Sequence, residues 1–198
     1  MKILIGTTNK DKFTEYEKAF EIHGKDIEIV SVNDLNITGE VEEDGKSLLE
    51  NARKKAKYFG EKSGMFTVSE DFGLFVDALG GEPGIHAKRW HGGTEADRRR
   101  KLLERLSGVS GGSRKAEYRG VMVGYDPGRK AFWEYEGAIR GRIREDGDFP
   151  EGFGYDPIFI SDFYGKSFSD TSKEEKLAIS HRGLGVRGLV GFLKSHID

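Results

Sequence analysis

Carboxylates occur in two short clusters that together have the chemistry of a site for a hard divalent cation. Glu42-Glu43-Asp44 precedes a strongly helical segment, and Glu70-Asp71 follows a short apolar segment typical of a strand. Loop residues at strand ends often form sites, and Mg²⁺ takes one or two carboxylates while it keeps several waters. An acidic cluster before a helix also simply suits the helix dipole. The two clusters together predict a metal site, with Glu42 and Glu43 as alternative ligands.

A polar segment between the first predicted strand and the first predicted helix has the composition of a phosphate-binding loop. Small and polar side chains at a helix N-terminus leave backbone N–H groups that attract phosphate, and Lys12 adds a mobile positive charge. A capped turn with a surface lysine is the alternative interpretation. The segment consists of Thr7, Thr8, Asn9, Lys10, Asp11 and Lys12.

Two helical segments carry further polar residues that could face a ligand. Asn51 and Lys55 are four residues apart and share one helix face. Lys55 lies at the edge of the apolar stripe, so its ammonium either points into a cleft or extends along the surface to water. Lys176, His181 and Arg182 lie together in the last predicted helix, where a single histidine is more often structural than catalytic.

The segment from Gly152 to Pro157 is a turn with two glycines and two aromatic residues. Glycine lets a backbone approach a ligand closely, and the ring of Phe153 or Tyr155 offers a surface on which a base can stack. A tight turn anchored by buried aromatic side chains is the alternative.

The elements that must position these residues predict a mixed α/β domain, since helices and strands alternate early and a long hairpin follows. The hairpin could form a smaller lobe and leave a cleft beside it. The predicted strands are Lys2–Gly6, Ile27–Val32, Phe66–Ser69, Lys115–Tyr125 and Lys130–Arg144. The predicted helices are Asp11 to about His23, Ser47–Lys62, Thr94–Leu106 and Ser172–Lys194.

Composition excludes several functional classes. The 198 residues include 32 Lys and Arg against 34 Asp and Glu. The chain therefore lacks the excess of positive charge that would predict a nucleic-acid partner. The basic run Arg98–Lys101 lies among acidic residues and is interpreted as a solvated helix face. The absence of Cys excludes disulfides and thiolate zinc sites. No stretch approaches the roughly 18–20 apolar residues of a membrane span, and the N-terminal apolar run is too short for a signal peptide. A cytoplasmic protein without a membrane partner is expected.

Five segments in this order make the chain similar to the inosine triphosphate pyrophosphatase family, also called the XTP/dITP diphosphatases. They span nearly the whole chain, and the last three are long and rarely found together elsewhere. The segments are Thr7–Lys12 (T-x-N-x-x-K), Glu43–Lys55 (E-x-G-x-x-x-x-E-N-A-x-x-K), Ser69–Gly84 (like A-D-D-S-G-L-x-V-D-A-L-G-G-x-P-G), Phe153–Phe159 (F-G-Y-D-P-I-F) and Glu174–Gly183 (E-E-K-x-A-I-S-H-R-G).

The resemblance implies a fold, an activity and an assembly. The expected fold is a single α/β domain over residues 1–198, with an elongated mixed sheet flanked by helices and two lobes around a central nucleotide cleft. The expected activity is Mg²⁺-dependent hydrolysis of the non-standard purine nucleoside triphosphates ITP, dITP and XTP, releasing the monophosphate and pyrophosphate and so cleansing the nucleotide pool. The expected assembly is a homodimer.

Roles for individual residues also follow from the resemblance. Glu43 and Asp71 would hold Mg²⁺, and Asp71 would accept the proton of the attacking water. The loop from Thr7 to Lys12 would bind the triphosphate. Further phosphate contacts would come from Lys55 and Lys176, and contacts to the base and sugar from Phe153, Gly154, Tyr155, Asp156, His181 and Arg182.

The chain departs from the family pattern at several positions. Phe72 stands where a small Ser that lies against the substrate is usual, and Glu70 and Ser69 stand where Asp and Ala are usual. His86 and Lys88 replace a Tyr and a small residue. Phe72 changes little if its contact to the substrate is through the backbone; otherwise it shifts substrate preference or rate.

Two alternative functions remain. The related Maf-like pyrophosphatases act on other nucleotides, but their motifs do not match the segment Glu174–Gly183. A sensor that holds a purine triphosphate without cleaving it is favoured only by the altered residues around Asp71.

Overall fold

The computed structural model describes residues 1–39 and 41–196, and the chain divides into two compact units. Unit 1 comprises Met1–Asp71, Gly120–Gly137 and the chain from Leu177 onward. Unit 2 comprises Phe72–Arg119 and Ala138–Lys176. The single two-lobed domain with a central cleft stays a prediction.

Five helices and seven strands of the described chain position the functional residues. The helices are α1 (Lys10–His23), α2 (Leu48–Ser63), α3 (Glu95–Arg105), α4 (Lys173–Ile179) and α5 (His181–His196). The strands are β1 (Lys2–Ile5), β2 (Glu28–Ser31), β3 (Thr67–Val76), β4 (Pro83–Gly84), β5 (Lys115–Asp126), β6 (Ala131–Ile143) and β7 (Phe159–Ser161). Within residues 1–39 and 41–196, none of these helices combines the length and apolarity needed to cross a membrane.

The strands form a mixed sheet in the order β2-β1-β3-β5-β6-β7, with β4 paired to β3. Strand β1 runs parallel to β2, with Leu4 opposite Val30, and parallel to β3, with Ile5 opposite Val68. Strands β6 and β7 are antiparallel. The predicted mixed α/β fold is therefore confirmed.

Helices cover both faces of the sheet in unit 1. Successive side chains of a strand point to opposite faces, and Ile3 and Ile5 pack with Tyr16 of α1 and Val186 of α5 in one apolar cluster. Leu4 belongs to a second cluster that contains Val30, Val32 and Phe59 of α2. The predicted sheet flanked by helices is thus observed in this unit.

Aromatic side chains dominate the core of unit 2. The Tyr118 ring centroid lies 4.7 Å from that of Phe159 and 6.1 Å from that of Phe168. Phe159 and Phe168 are themselves 5.2 Å apart. These distances are typical of tilted and stacked aromatic pairs.

Two predicted elements were wrong in extent. The strand predicted for Phe66–Ser69 is β3, which continues through Glu70 and Asp71 to Val76, so these carboxylates lie inside a strand and not in a loop after it. The pattern could not show this because apolar periodicity gives no sign that a buried charge has partners elsewhere in the chain.

The predicted final helix Ser172–Lys194 is two helices. Helix α4 ends at Ile179 and α5 begins at His181, with Ser180 between them. The Ser180 hydroxyl accepts a hydrogen bond from the Gly183 amide at 3.2 Å, which is the contact of a helix N-cap. A side chain at Gly183 would collide with the Leu177 carbonyl, so the glycine permits this close approach.

Candidate functional site

In unit 1, the ammonium of Lys55 lies between two of the predicted metal ligands. Its Nζ is 2.6 Å from Oε1 of Glu43 and 3.2 Å from Oδ1 of Asp71. Lys55 is buried in α2, so its ammonium does not extend along the surface to water. Its position in a cleft stays a prediction. Two carboxylates that converge on one cation create strong negative potential there, which the ammonium offsets.

Asn51 links the acidic loop to Asp71. Its Nδ2 donates to Oδ2 of Asp71 at 3.0 Å, and its Oδ1 accepts from the amide of Gly45 at 2.8 Å. Only glycine fits at position 45 without a shift of its neighbours, because an added Cβ would lie 2.9 Å from Cβ of Glu50. Since Asn51 and Lys55 are one turn apart on α2, one helix face fixes both oxygens of the Asp71 carboxylate.

The donor set fits a magnesium ion held partly by its substrate. Glu42 is exposed, whereas Glu43 is half-buried and contacts Lys55 beside Asp71, which favours Glu43 as the ligand. Among residues 1–39 and 41–196, no cluster of three or more His, Cys, Asp or Glu side chains has the arrangement of a metal site. Mg²⁺ is usually bound by one or two carboxylates together with waters and substrate phosphates, so the pair Glu43 and Asp71 is compatible with such an ion.

A second buried carboxylate in unit 1 collects cationic side chains. Glu70 is 3 % exposed. Its Oε2 accepts from the Tyr16 hydroxyl at 3.0 Å and from Nε of Arg182 at 2.9 Å. Nζ of Lys12 lies 3.4 Å from Oε1, and Nε2 of His181 lies 3.6 Å from Oε2. Three predicted substrate ligands, Lys12, His181 and Arg182, thus surround Glu70, which stands where the family pattern has Asp.

The Glu70 cluster perturbs two pKa values. Burial favours the neutral acid, but the Lys12 ammonium, the nearby His181 side chain and the hydrogen bond from Tyr16 outweigh it and hold the pKa of Glu70 at about 2. Burial lowers the pKa of Lys12 to about 8, against the attraction of Glu70. Glu70 is therefore charged at neutral pH, and Lys12 loses its proton at a pH just above neutrality.

The predicted phosphate loop connects β1 to α1, as expected. The Asn9 side chain caps α1 by accepting from the amide of Lys12 at 3.0 Å, and the Thr7 hydroxyl accepts from the amide of Asn9 at 3.2 Å. The Ser69 hydroxyl, which stands where Ala is usual, donates to the carbonyl of Gly6 at 3.0 Å. The capped turn of the alternative interpretation is thereby observed, but its surface lysine is not, because the Lys12 side chain is largely buried beside Glu70. Phosphate binding by this loop stays a prediction.

In unit 2, Asp156 and Lys176 form a close pair with an O–N distance of 2.5 Å. The Lys176 ammonium lies 5.6 Å from the ring centre of Phe153 and 5.7 Å from that of Phe168, within the range of cation–π attraction. Burial raises the pKa of Asp156, although Lys176 opposes the shift. These predicted residues are thus assembled around the turn from Gly152 to Pro157.

Phe72 joins the aromatic cluster of unit 2. Its ring centroid lies 6.3 Å from that of Phe153 and 6.2 Å from that of Tyr118. Phe72 is half-buried within β3. The ring that replaces the usual Ser is therefore a packed side chain beside the predicted base-stacking residue.

The predicted residues are divided between the two units. Those of unit 2 are Phe72, Phe153, Gly154, Tyr155, Asp156 and Lys176. Those of unit 1 are Thr7, Thr8, Asn9, Lys10, Asp11, Lys12, Glu43, Lys55, Asp71, His181 and Arg182. Their common contact with one nucleotide stays a prediction.

Sequence reasoning missed three charged residues. Glu15 pairs with Arg182 in unit 1. In unit 2, Arg99 was interpreted as part of a solvated helix face, but this is wrong, because Arg99 is 1 % exposed and contacts the turn with Glu95. The spacing along the helix could have predicted this burial. Arg99 lies three residues before Leu102 and seven before Leu106, which places it on the buried stripe of α3.

Comparison with known proteins gives a consistent family. Residues 3–192 match the model of the Ham1 family. A protein of Thermoanaerobacter sp. (strain X514) named dITP/XTP pyrophosphatase is 36% identical over 200 residues, covering 100% of this chain and 99% of that one. The structure of the Staphylococcus aureus Ham1 protein is 30% identical with a TM-score of 0.83, covering 98% and 99% of the two chains. A HAM1 protein from Coxiella burnetii is 28% identical with a TM-score of 0.85 over the same shares. The chain therefore belongs to the Ham1 family.

Proposed function

We propose that this protein hydrolyses the non-standard purine nucleoside triphosphates ITP, dITP and XTP to the nucleoside monophosphate and pyrophosphate. The observation that carries the proposal is the convergence of Glu43 and Asp71 on Lys55, with Asn51 fixing the second oxygen of Asp71. Full-length similarity to proteins named dITP/XTP pyrophosphatase supports the substrate class.

Asp71 is the proton acceptor in this proposal. Its carboxylate is held at one oxygen by Asn51 and at the other by Lys55, so its direction is fixed before substrate binds. Glu43 and Asp71 would hold Mg²⁺, which when bound neutralises phosphate charge and lowers the pKa of a coordinated water. Asp71 then receives the proton that the attacking water loses.

Positive charge stabilises the triphosphate as the α–β phosphoanhydride bond breaks. The leaving pyrophosphate gains negative charge, and fixed cations near that charge lower the barrier. In unit 1, this positive charge comes from Lys12 and Lys55, together with backbone N–H groups at the start of α1. The resemblance assigns a further phosphate contact to Lys176.

Selection of the base rests on the turn that carries Phe153 and on His181 and Arg182. Phe153 offers a ring for stacking, and its position beside Phe72 adds apolar surface. Hypoxanthine and xanthine present a 6-keto acceptor to donors of the site, whereas adenine presents an amino group that leaves buried donors unpaired. Such a difference discriminates by about 10⁴.

Product analysis tests the proposal. ITP incubated with the protein and Mg²⁺ should give IMP and pyrophosphate in equal amounts, as resolved by ³¹P NMR. Formation of IDP and inorganic phosphate would contradict the assignment, because it requires cleavage at a different phosphoanhydride bond. ITP binding by calorimetry without any product would favour the sensor instead.

A homodimer and a cytoplasmic location complete the proposal. The dimer is supported by the resemblance over nearly the whole chain, and the location by the nucleotide pool on which the enzyme acts. Light scattering after size-exclusion chromatography tests the assembly: a mass near 44 kDa, twice the 22.1 kDa of the chain, is expected. A monomer mass at micromolar concentration would contradict it.

A further inference from the structure

Three hydrogen bonds tie helix α3 to the turn that carries Phe153. Nη1 of Arg99 donates to the carbonyl of Gly152 at 3.0 Å and to the carbonyl of Gly154 at 2.7 Å. Oε2 of Glu95 accepts from the amide of Gly154 at 2.8 Å. Glu95 and Arg99 are four residues apart and share one face of α3, so one helix face holds the backbone on both sides of Phe153.

Burial of Arg99 is better explained by this contact than by ion pairing. A buried guanidinium is costly unless its donors are satisfied. Its nearest carboxylates, Glu95 at 4.0 Å and Glu151 at 3.5 Å, are 42% and 94% exposed at the side chain, and exposed pairs contribute little. The Phe149 ring lies 5.2 Å away. An apolar residue would fill this place on the stripe at least as well, but it would leave the two carbonyls without their donor.

The turn itself needs external support. Gly154 has φ of 54°, the left-handed region that favours glycine, and its amide is held by Glu95. The next residue is anchored separately, since the Tyr155 hydroxyl donates to the carbonyl of Ala87 at 2.9 Å. Phe153 is half-buried, so the protein does not fully enclose it.

We infer that Arg99 and Glu95 are positioning residues for purine recognition: they fix the backbone on either side of Phe153 so that its ring is already oriented when the base arrives. The inference rests on the proposed function, in which Phe153 stacks on the nucleobase. Pre-orientation removes an ordering cost from binding, and displacement of a contact by about 1 Å costs up to about a hundredfold in such sites. The effect must therefore fall on the base and not on the phosphates.

The test uses Arg99→Lys and Glu95→Gln. Lysine keeps the charge but replaces the planar guanidinium, whose Nη1 donates to both carbonyls, with a tetrahedral ammonium on a different stem. Gln keeps the shape of Glu95 while it weakens the charge-assisted bond. We expect KM for ITP to rise about tenfold in Arg99→Lys and about threefold in Glu95→Gln. The inhibition constant of inorganic tripolyphosphate, which has no base, should stay within about twofold. Arg100→Lys and Glu104→Gln, exposed on the same helix, are the matched controls.

The outcomes separate the inference from the proposed function. Phe153→Leu should raise KM for ITP; if it does not, the base contact in the proposed function is wrong, and the inference falls with it. If Phe153→Leu raises KM while neither α3 variant does, only the positioning role is wrong. Equal rises in KM for ITP and in the inhibition constant of tripolyphosphate would also contradict the positioning role, because they indicate a site that is disordered as a whole and not only at the base. Should Arg99→Lys fail to fold, Glu95→Gln decides alone, since Glu95 is only half-buried.

Discussion

Lys12 and Glu70 form an ion pair in unit 1, with Nζ 3.4 Å from Oε1 and both side chains largely withdrawn from water. Glu70 also accepts from Arg182, which pairs with Glu15 as well, so one carboxylate contacts two cations that the proposed function assigns to the substrate. Removal of such a group leaves buried positive charge uncompensated. The Lys12–Glu70 pair is therefore expected to govern both stability and the pH dependence of substrate binding.

Replacement of Glu70 by Gln should destabilise the protein strongly. The variant keeps the shape of the side chain but removes the charge that Lys12 and Arg182 contact. Breaking a buried ion pair in this way costs about 3–5 kcal/mol. Urea denaturation at pH 7 measures the change, with Glu17→Gln on the exposed face of α1 as the control. A loss below about 0.5 kcal/mol, the range of ordinary surface substitutions, would contradict this role of Glu70.

The destabilisation should depend on pH in a defined direction. The pKa of Glu70 is held at about 2, below its ordinary value of 4.5, so the folded state binds this proton less readily than the unfolded state. Its stabilising contribution is therefore complete above about pH 4.5 and is lost as the pH falls through about 2. The difference in unfolding free energy between the wild type and Glu70→Gln should shrink over this interval. A difference that is constant from pH 6 to pH 3 would be the contrary result.

Substrate binding should weaken above pH 8. Burial lowers the pKa of Lys12 to about 8, so its ammonium loses its proton as the pH rises through this value. KM for ITP should then increase, with a limiting slope of about tenfold per pH unit for one ionising group. Lys12→Arg should abolish the increase because guanidinium stays protonated throughout. A wild-type KM that is flat between about pH 7 and 9.5 would remove Lys12 from the phosphate site.

Helices α2 and α3 could be predicted because local signals agree with the fold. Helix α2 starts after its cap Ser47 and is followed by its C-cap Gly64, which has the left-handed conformation. Helix α3 starts after Thr94, whose hydroxyl and the Asp97 carboxylate form a capping box. Each of these signals lies within a few residues of the boundary that it determines.

The charged interior could not be predicted in the same way. Glu70 depends on Arg182, which is 112 residues away along the chain, so no local pattern reveals the pairing. The same holds for Arg99, whose acceptors Gly152 and Gly154 lie more than fifty residues later. Carboxylate clusters, helix spacing and motif resemblance together indicated Glu43, Lys55 and Asp71, and the geometry brings these three together.

Glu42 and Glu43 can be distinguished by their metal requirement. Glu43→Gln removes one of two carboxylates that converge on Lys55, so the Mg²⁺ concentration for half-maximal activity should rise about tenfold or more. Glu42→Gln alters an exposed neighbour and should change it by less than about twofold. Titration of activity with Mg²⁺ at saturating ITP measures both variants. The reverse ranking would assign the metal to Glu42.

Phe72 should matter for packing and for binding more than for turnover. Phe72→Ser, which restores the usual residue of the family, removes the ring contacts with Tyr118 and Phe153. For a half-buried ring we expect a loss of about 1–3 kcal/mol and a higher KM for ITP with kcat nearly unchanged. Phe72→Leu keeps apolar volume, so its stability and its KM for ITP should lie between those of the wild type and of Phe72→Ser. A large fall in kcat with unchanged KM would instead place Phe72 at the reacting phosphates.

Pyrophosphate release from ITP, XTP, GTP and ATP at equal concentration, with Mg²⁺ and with EDTA, tests the central claim most directly. The account predicts rapid release from ITP and XTP, little from ATP, none in EDTA, and a loss of a hundredfold or more in Asp71→Asn, since the variant lacks the base and one metal ligand. Asp71→Asn should remain folded by circular dichroism. Release that is equal for ATP and ITP, or near-normal turnover of Asp71→Asn, would contradict the account.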